Sequence, residues 1–505
     1  MISSEAPITQ PIQIPSNLRI GSTLHLRMTG RFRQITIVTM ILVAVADWLF
    51  YKQPFGWSAG IYAFLLMPAI LMFRPPMTRT QGTVWLVLAM NGLCIALVSQ
   101  PGPLVVILTI LCIVLLASIS AKGLTANAWR WVYRWETFLV FGFLQMIHDL
   151  RIRSRWRKSC HGVPSSGSVS RHFYHWFVPV LLSLGFLLLF AMANPLIDWF
   201  LEVFQRNVWM TIQTLDMSLS RILLWCGLAA LIWGLLRFPK RTAKTARAAV
   251  TASRPANADF LVRCLLLFNA VFAVETWLDL VYLWGGVTLP AQMTYAEYAH
   301  RGAYPLIATA LLAGLFVLAT FRPGSIARTY LSARRLVYLW LVQNIFLTVS
   351  SMWRLHLYIE VYGLTRWRIA ALIWMLLVTA GLLWIGCRIL TGRSNGWLVS
   401  MNLITTLLVL YACCFVNFEG MIAWHNVRHS QKLGVPADFQ YLQSLGPESI
   451  PALNWLASPL QSASAADEAR KSSLELQQIL RRQTRNWRGW TWRRHELLKI
   501  ADHSF

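Results

Sequence analysis

Two acidic residues four positions apart, Glu275 and Asp279, interrupt an otherwise apolar run, FLVRCLLLFNAVFAVETWLDLVYLW. At helical spacing they share one face, and Tyr282 continues it. Arg354 interrupts a second such run, LVYLWLVQNIFLTVSSMWRLHLYIEVYGLTRWR, which ends in a polar turn with Arg366 and Arg368. An arginine at that depth in lipid is costly unless a partner or water meets it. Its planar fork suits a carboxylate or a phosphate. Glu275 or Asp279 is the expected partner. More polar residues gather at the same level: Tyr295, Glu297, His300 and Arg301 before it, then His356, Tyr358, Glu360, Arg366 and Arg368, and finally Asn417, Glu419, His425 and Asn426. One reading is an outward-facing polar pocket in which Arg354, clamped by an acid, recognises an anion. The other is an internal ion-pair network that fixes helix register and holds no ligand. Two carboxylates on one face could also serve as acid and base. No nucleophile or metal cluster accompanies them, so an enzymatic use is not the expectation. Asp47, alone in its run, is either a proton or ion site or a residue bonded within the bundle. His425 and His429 have a spacing that can chelate zinc, but a third ligand is missing, and no metal or other cofactor is expected.

These residues need elements that place them in a membrane. Of the 505 residues, 56% are hydrophobic and only 13% charged, with mean hydropathy +0.50. The imbalance comes from repeated apolar runs of roughly 17 to 25 residues, the length of a membrane-crossing helix. Such runs must be helical, because lipid offers backbone groups no hydrogen-bond partners. The fold class expected is therefore all-α, a polytopic transmembrane bundle of about eleven spans. A formal net charge of +26 would suit nucleic acid, but Lys and Arg concentrate in short loops between spans, the pattern of cytoplasmic loops. The eight cysteines lie mostly in spans, without metal-ligand spacing, and read as small apolar side chains. No cleavable signal peptide is visible, and Walker, HExxH, GxSxG and dinucleotide-binding patterns are all missing.

Charge bias orders the chain. Residues 1–34 read as a cytosolic leader, 35–415 as the transmembrane bundle and 416–505 as an extracytoplasmic helical tail. The run at 131–147 is followed by Arg151, Arg153, Arg155, Arg157 and Lys158, which a crossing would export. It reads as an interfacial or re-entrant helix, and the amphipathic stretch 197–220 as a helix on the outer surface, the alternative being a span with polar decoration. The tail ends in interleaved tryptophan and arginine: Trp487, Trp490, Trp492, Arg493 and Arg494. These suit a lipid headgroup surface, or else pack within the tail. An outside location argues against nucleic acid.

Met293-Thr-Tyr-Ala-Glu-Tyr-Ala-His-Arg-Gly302, Arg354 with Tyr358-Ile-Glu-Val-Tyr-Gly-Leu-Thr-Arg366, and Ile422-Ala-Trp-His-Asn426 resemble bacterial multi-pass proteins of the uncharacterised domain families 4153 and 4173. The likeness runs from about residue 260 to the C-terminus, including Asp438–Leu442, Leu445–Leu453 and Trp487–Trp490, with a looser likeness of span arrangement before it. It implies a protein of the bacterial cytoplasmic membrane and assigns no chemistry. The expected role is binding, sensing or scaffolding, through membrane lipids, another envelope protein or an anionic lipid-linked ligand. The rivals are an ion-coupled transporter using Asp47, Glu275 and Asp279, and a transferase acting on lipid-linked substrates.

Overall fold

The computed structural model describes residues 16–73, 81–119, 129–160, 217–237, 258–285, 331–458 and 463–502, with a few isolated positions between them. Every secondary-structure element among the described residues is helical, without a strand. Among the described residues six helices are long and apolar enough to cross a membrane: Gly30–Phe50, Gly82–Ser99, Val262–Trp284, Leu331–Tyr362, Arg366–Thr391 and Asn395–Cys413. Three shorter apolar helices, Ser58–Met72, Pro103–Ser118 and Ser220–Leu236, accompany them. The chain is thus a multi-pass membrane protein. The spans read at 176–194 and 304–321, most of the helix read at 197–220, and the Met293–Gly302 segment lie outside the described residues.

Two compact units divide the chain: residues 1–51, 66–74 and 136–240 form the first, and 52–65, 75–135 and 241–505 the second. In the first, α1 (Ser16–Phe50) runs antiparallel to α6 (Met217–Leu236). Phe32 meets Trp233 edge-on at 5.0 Å near one end, and Asp47 meets Arg221 near the other. Helix α1 begins well inside the stretch read as a leader. Its early turns are polar, so hydropathy sees only the apolar part. Helix α5 (Trp129–Cys160) is one continuous helix that carries on through the basic cluster after residue 147. It crosses α6 where glycine faces glycine: a Cβ on Gly234 would lie 2.5 Å from the carbonyl oxygen of Gly142.

In the second unit, α3 (Gln81–Ser99) and α4 (Pro103–Ser118) form a hairpin. The first turns of α2 (Ser58–Met72) press Gly60 against Cys94 and Val98 of α3. Helix α7 (Ala258–Leu278) widens into a π-helical turn, Asp279–Trp284, and packs closely on α8 (Leu331–Tyr362). The two run parallel: Asn269 meets Leu336, and Asp279 meets Arg354 further along both. Helix α8 turns into α9 (Arg366–Thr391), which pairs with α10 (Asn395–Cys413). Gly363 makes the α8–α9 turn at φ +75°, and Thr365 caps α9 by accepting from the Arg368 amide.

The tail is a small helical cap: α11 (Phe418–Leu433), α12 (Phe439–Ser444), α13 (Ile450–Leu456), α14 (Ala463–Thr484) and α15 (Trp492–Asp502). Its core repeats at helical spacing. Ala469, Ser473, Leu476 and Leu480 of α14 are buried, as are Ile422, Ala423 and Val427 of α11. The same core takes in Ile359 and Leu364 from the end of α8 and Ile369 from the start of α9. The cap is therefore continuous with the second unit's membrane helices.

Candidate functional site

Arg354 is 3% exposed and Asp279 is fully buried. The guanidinium Nη2 bonds the Asp279 carboxylate and lies 3.4 Å from Glu275 Oε1. Asp279 opens the π-helical turn of α7, where an extra residue per turn re-aims the side chains that follow. Trp284 closes that turn by donating to Ser350 of α8 (3.1 Å) and stacking on Trp353 at 5.8 Å. One cation thus faces two carboxylates, the first enclosed and the second, Glu275, with 40% of its side chain open. This is a closed ion pair with a second acid in reach, and Arg354 offers little surface to an outside anion.

The α8 face below Arg354 stays polar. Asn344, Thr348 and Ser351 are buried, and each donates to the backbone carbonyl four residues before it. Small polar residues satisfied in this way let helices approach closely in lipid.

The outer residues of the expected pocket do a different job. Asn426 of the cap exchanges two hydrogen bonds with the Leu364 backbone: its Oδ1 accepts from the amide at 2.6 Å, and its Nδ2 donates to the carbonyl at 2.9 Å. The side chain thereby satisfies both backbone groups of Leu364 as a neighbouring strand would. Arg366 pairs with Glu419 at 3.4 Å and donates to the Ser444 carbonyl at 3.3 Å. Arg368 donates to the carbonyls of Tyr362 and Gly363 at the end of α8 and lies over the Tyr358 ring at 4.5 Å. These residues fasten the cap and the turn. Glu360 is more than half exposed, 3.7 Å from His356. Tyr295, Glu297 and Arg301 lie outside the described residues.

The terminal tryptophans reach back to the loop between α1 and α2. Trp57 donates from its backbone to the Trp490 carbonyl (2.9 Å) and from its ring to the Trp487 carbonyl (2.8 Å). Gly56 admits this approach, since a Cβ there would lie 2.5 Å from the Arg488 carbonyl. Arg494 donates to the carbonyls of Phe55 (3.1 Å) and Gly489 (2.6 Å), and Arg493 donates to Glu448 at 2.8 Å. Burial pushes the Glu448 carboxyl above its ordinary value, and Arg493 opposes that shift. Of the residues read as a lipid surface, Trp490, Arg493 and Arg494 are built into the fold and Trp487 in part. Trp492 stands 60% exposed.

His425 and His429 stack with centroids 5.9 Å apart. Burial holds the His425 imidazole below its ordinary value, helped by His429 and His356. No group of three potential metal ligands occurs among the described residues. Asp47 is bonded within the first unit: Arg221 grips it through two nitrogens, at 3.0 and 2.5 Å, and the Trp225 ring donates at 2.8 Å.

Residues 85–456 match a protein family described as Domain of unknown function (DUF4153). The chain belongs to this family. No curated protein and no solved structure matches it. The DUF4153 match starts far ahead of the likeness read from residue 260 and stops at residue 456. Glu275, Asp279, Arg354, Arg366 and Asn426 fall inside it. Asp47 and the terminal Trp/Arg residues fall outside.

Two buried charged residues escaped the sequence reading. Asp149 of α5 is 3% exposed and takes bonds from Trp233 (3.0 Å), Gln145 (3.2 Å) and Arg237 (3.2 Å). Its signal was a lone acid at the edge of an apolar run, masked by the arginines that follow. Arg388 is 1% exposed in the last turn of α9, where a cation complements the helix's terminal carbonyls.

Proposed function

We propose that this is a binding or scaffold protein of the bacterial cytoplasmic membrane. It has about eleven spans, a cytoplasmic N-terminus and an extracytoplasmic cap, and it acts through an envelope partner or an anionic lipid-linked ligand. One observation carries the reading: Asn426 and Arg366 fasten the cap to the α8–α9 turn, and Arg368 braces that turn on the end of α8. A rigid platform joined to membrane helices suits recognition. The loop carrying Trp57 and the α8–α9 turn both hold the cap, and charge bias reads both as outer. Asp149 ties α5 to Arg237, at the α6 end read as inner, which supports an in-plane α5 on that side.

The test is site-specific photocrosslinking in native membranes from two exposed cap-side positions, Glu360 and Trp492, with Trp85 of α3 as a lipid-facing control. A discrete protein or lipid adduct at the cap positions and not at Trp85 supports the scaffold. Identical bulk-lipid adducts at all three positions overturn it. A periplasm-active reporter fused after Phe505 must be active, and a silent one refutes the orientation.

The second reading is an ion-coupled carrier. It is favoured by one specific arrangement, two carboxylates competing for Arg354 at a π-helical turn. It requires proton- or sodium-driven flux in reconstituted vesicles that Glu275→Gln abolishes. Vesicles without such flux eliminate it.

A further inference from the structure

We propose that Asn269 and Gln343, facing each other between α7 and α8, form a binding site for a desolvated monovalent cation of the sodium class. The inference does not depend on the scaffold reading. Both residues lie in candidate spans and are more than nine-tenths buried, at 6% and 9% exposure. Their amide nitrogens are committed. Asn269 Nδ2 donates to the carbonyls of Leu265 (2.7 Å) and Leu336 (3.1 Å), and Gln343 Nε2 donates to the backbone carbonyl of Asn269 at 3.3 Å. Those bonds fix which way each amide points, since turning either one would set oxygen against carbonyl oxygen. The remaining atoms, Asn269 Oδ1 and Gln343 Oε1, are shielded from solvent and accept no hydrogen bond.

Two acceptors without a donor are unfavourable in a span. Here they stand on adjoining helices beside a third oxygen, the Asn269 carbonyl. Among the described residues no side chain donates to either oxygen. Leu265 is fully buried, and Phe268 and Phe272 pack on Trp340 at 5.3 and 5.8 Å, forming an aromatic wall. Buried oxygens that accept no hydrogen bond are what a hard cation stripped of its water requires, and aromatic faces tolerate positive charge. Charge balance is near: Glu275 lies six residues further along α7, about 9 Å of helix rise.

The purified full-length protein is melted in detergent in sodium, potassium, lithium and choline chloride at one ionic strength. The site predicts a saturable rise in melting temperature with sodium that choline does not reproduce. Gln343→Met keeps side-chain volume and removes one acceptor, so it should weaken the apparent sodium affinity more than tenfold. Asn269→Leu should do the same from the facing helix. Equal melting in all four salts, as a single bridging water would give, overturns the proposal. So does a sodium effect that survives in both variants, which would put the ion elsewhere. If neither variant folds, sodium-23 relaxation on the unmodified protein decides: exchange broadening competed by lithium but not by choline supports the site, and its absence refutes it.

Discussion

Replacing Arg354 by methionine tests the central ion pair. The change removes a guanidinium that is 97% enclosed and leaves Asp279, with no exposed surface, without that partner and close to Glu275. Breaking a buried pair from one side costs about 3–5 kcal/mol. Glu275 is partly open and absorbs some of the disturbance, so the lower figure, about 3 kcal/mol, applies. That corresponds to roughly a hundredfold shift in the folding equilibrium. The assay is denaturant unfolding in mixed micelles, followed by size-exclusion fluorescence. A second substitution separates pair loss from packing loss: Asp279→Asn in the Arg354→Met background removes the stranded charge and should restore about 2 kcal/mol. Arg354→Lys should fall between, because a point charge cannot bridge two carboxylates as a fork does. A loss below about 0.5 kcal/mol for the single variant would refute the reasoning. A double variant no better than the single would do so as well.

Three further outcomes follow from the cap. Asn426→Ala strips both hydrogen bonds from the Leu364 peptide and should cost about 1–3 kcal/mol, seen as faster proteolysis after Gly434; unchanged cleavage would deny the clamp. Gly56→Ala drives a Cβ into backbone at Arg488 and Gly489, neither of which is a flexible side-chain end. It should loosen residues 486–494 by about 1–3 kcal/mol, read as faster amide exchange there, and equal exchange contradicts the docking. His425 resists protonation in the folded cap, so its folded value lies below the unfolded one, near 6.5. The unfolded chain then binds the extra proton, and cap stability present above about pH 6.5 is lost as pH falls through that value towards the folded one. His425→Gln should flatten this dependence between about pH 7.5 and 5.5, and an unchanged slope assigns it to another group.

How far the site was legible depends on whether a residue's demand could be met nearby. Arg354 had to find an acid, and helical spacing put Glu275 and Asp279 on one face, so the pair was readable from membrane cost alone. Asp47 made the same demand, but its partner Arg221 stands 174 residues away, and no local pattern joins two helices so separated. Arg366 and Asn426 were gathered as pocket residues, and the structure shows each bonding across the α8–α9 turn and the cap. Periodicity tells which face a residue occupies and is silent about what covers it, and here a folded cap covers them. Trp487 and Trp490 carried the composition of a lipid anchor. Their neighbour Gly56, nearly the whole chain away, turns that composition into a docking contact. The start of α1 was read as a leader because its polar turns carry no hydropathy signal, while the helix itself runs from Ser16.

The two readings of function meet in α8. Its Arg354 belongs to the contact with α7, while Leu355, Ile359 and Leu364, on the following turns and in the bend after them, belong to the cap. Arg368 then ties α9 back onto Tyr358 and onto the last carbonyls of α8. No break in the helix separates the ion pair from the docking surface, and a helix is stiff over about 12 Å, the rise of the eight residues from Arg354 to Tyr362. A partner that moves the cap must therefore either carry the end of α8 with it or break the Asn426–Leu364 bonds. In the first case force reaches Asp279, and in the second it stops at Leu364. A scaffold needs only the strength of that clamp, whereas a carrier needs the stiffness of α8 and the second carboxylate, Glu275, to receive the arginine when Asp279 releases it. The clamp is made of two good hydrogen bonds and the α8–α9 turn is capped at both ends, so the geometry weights the first need over the second.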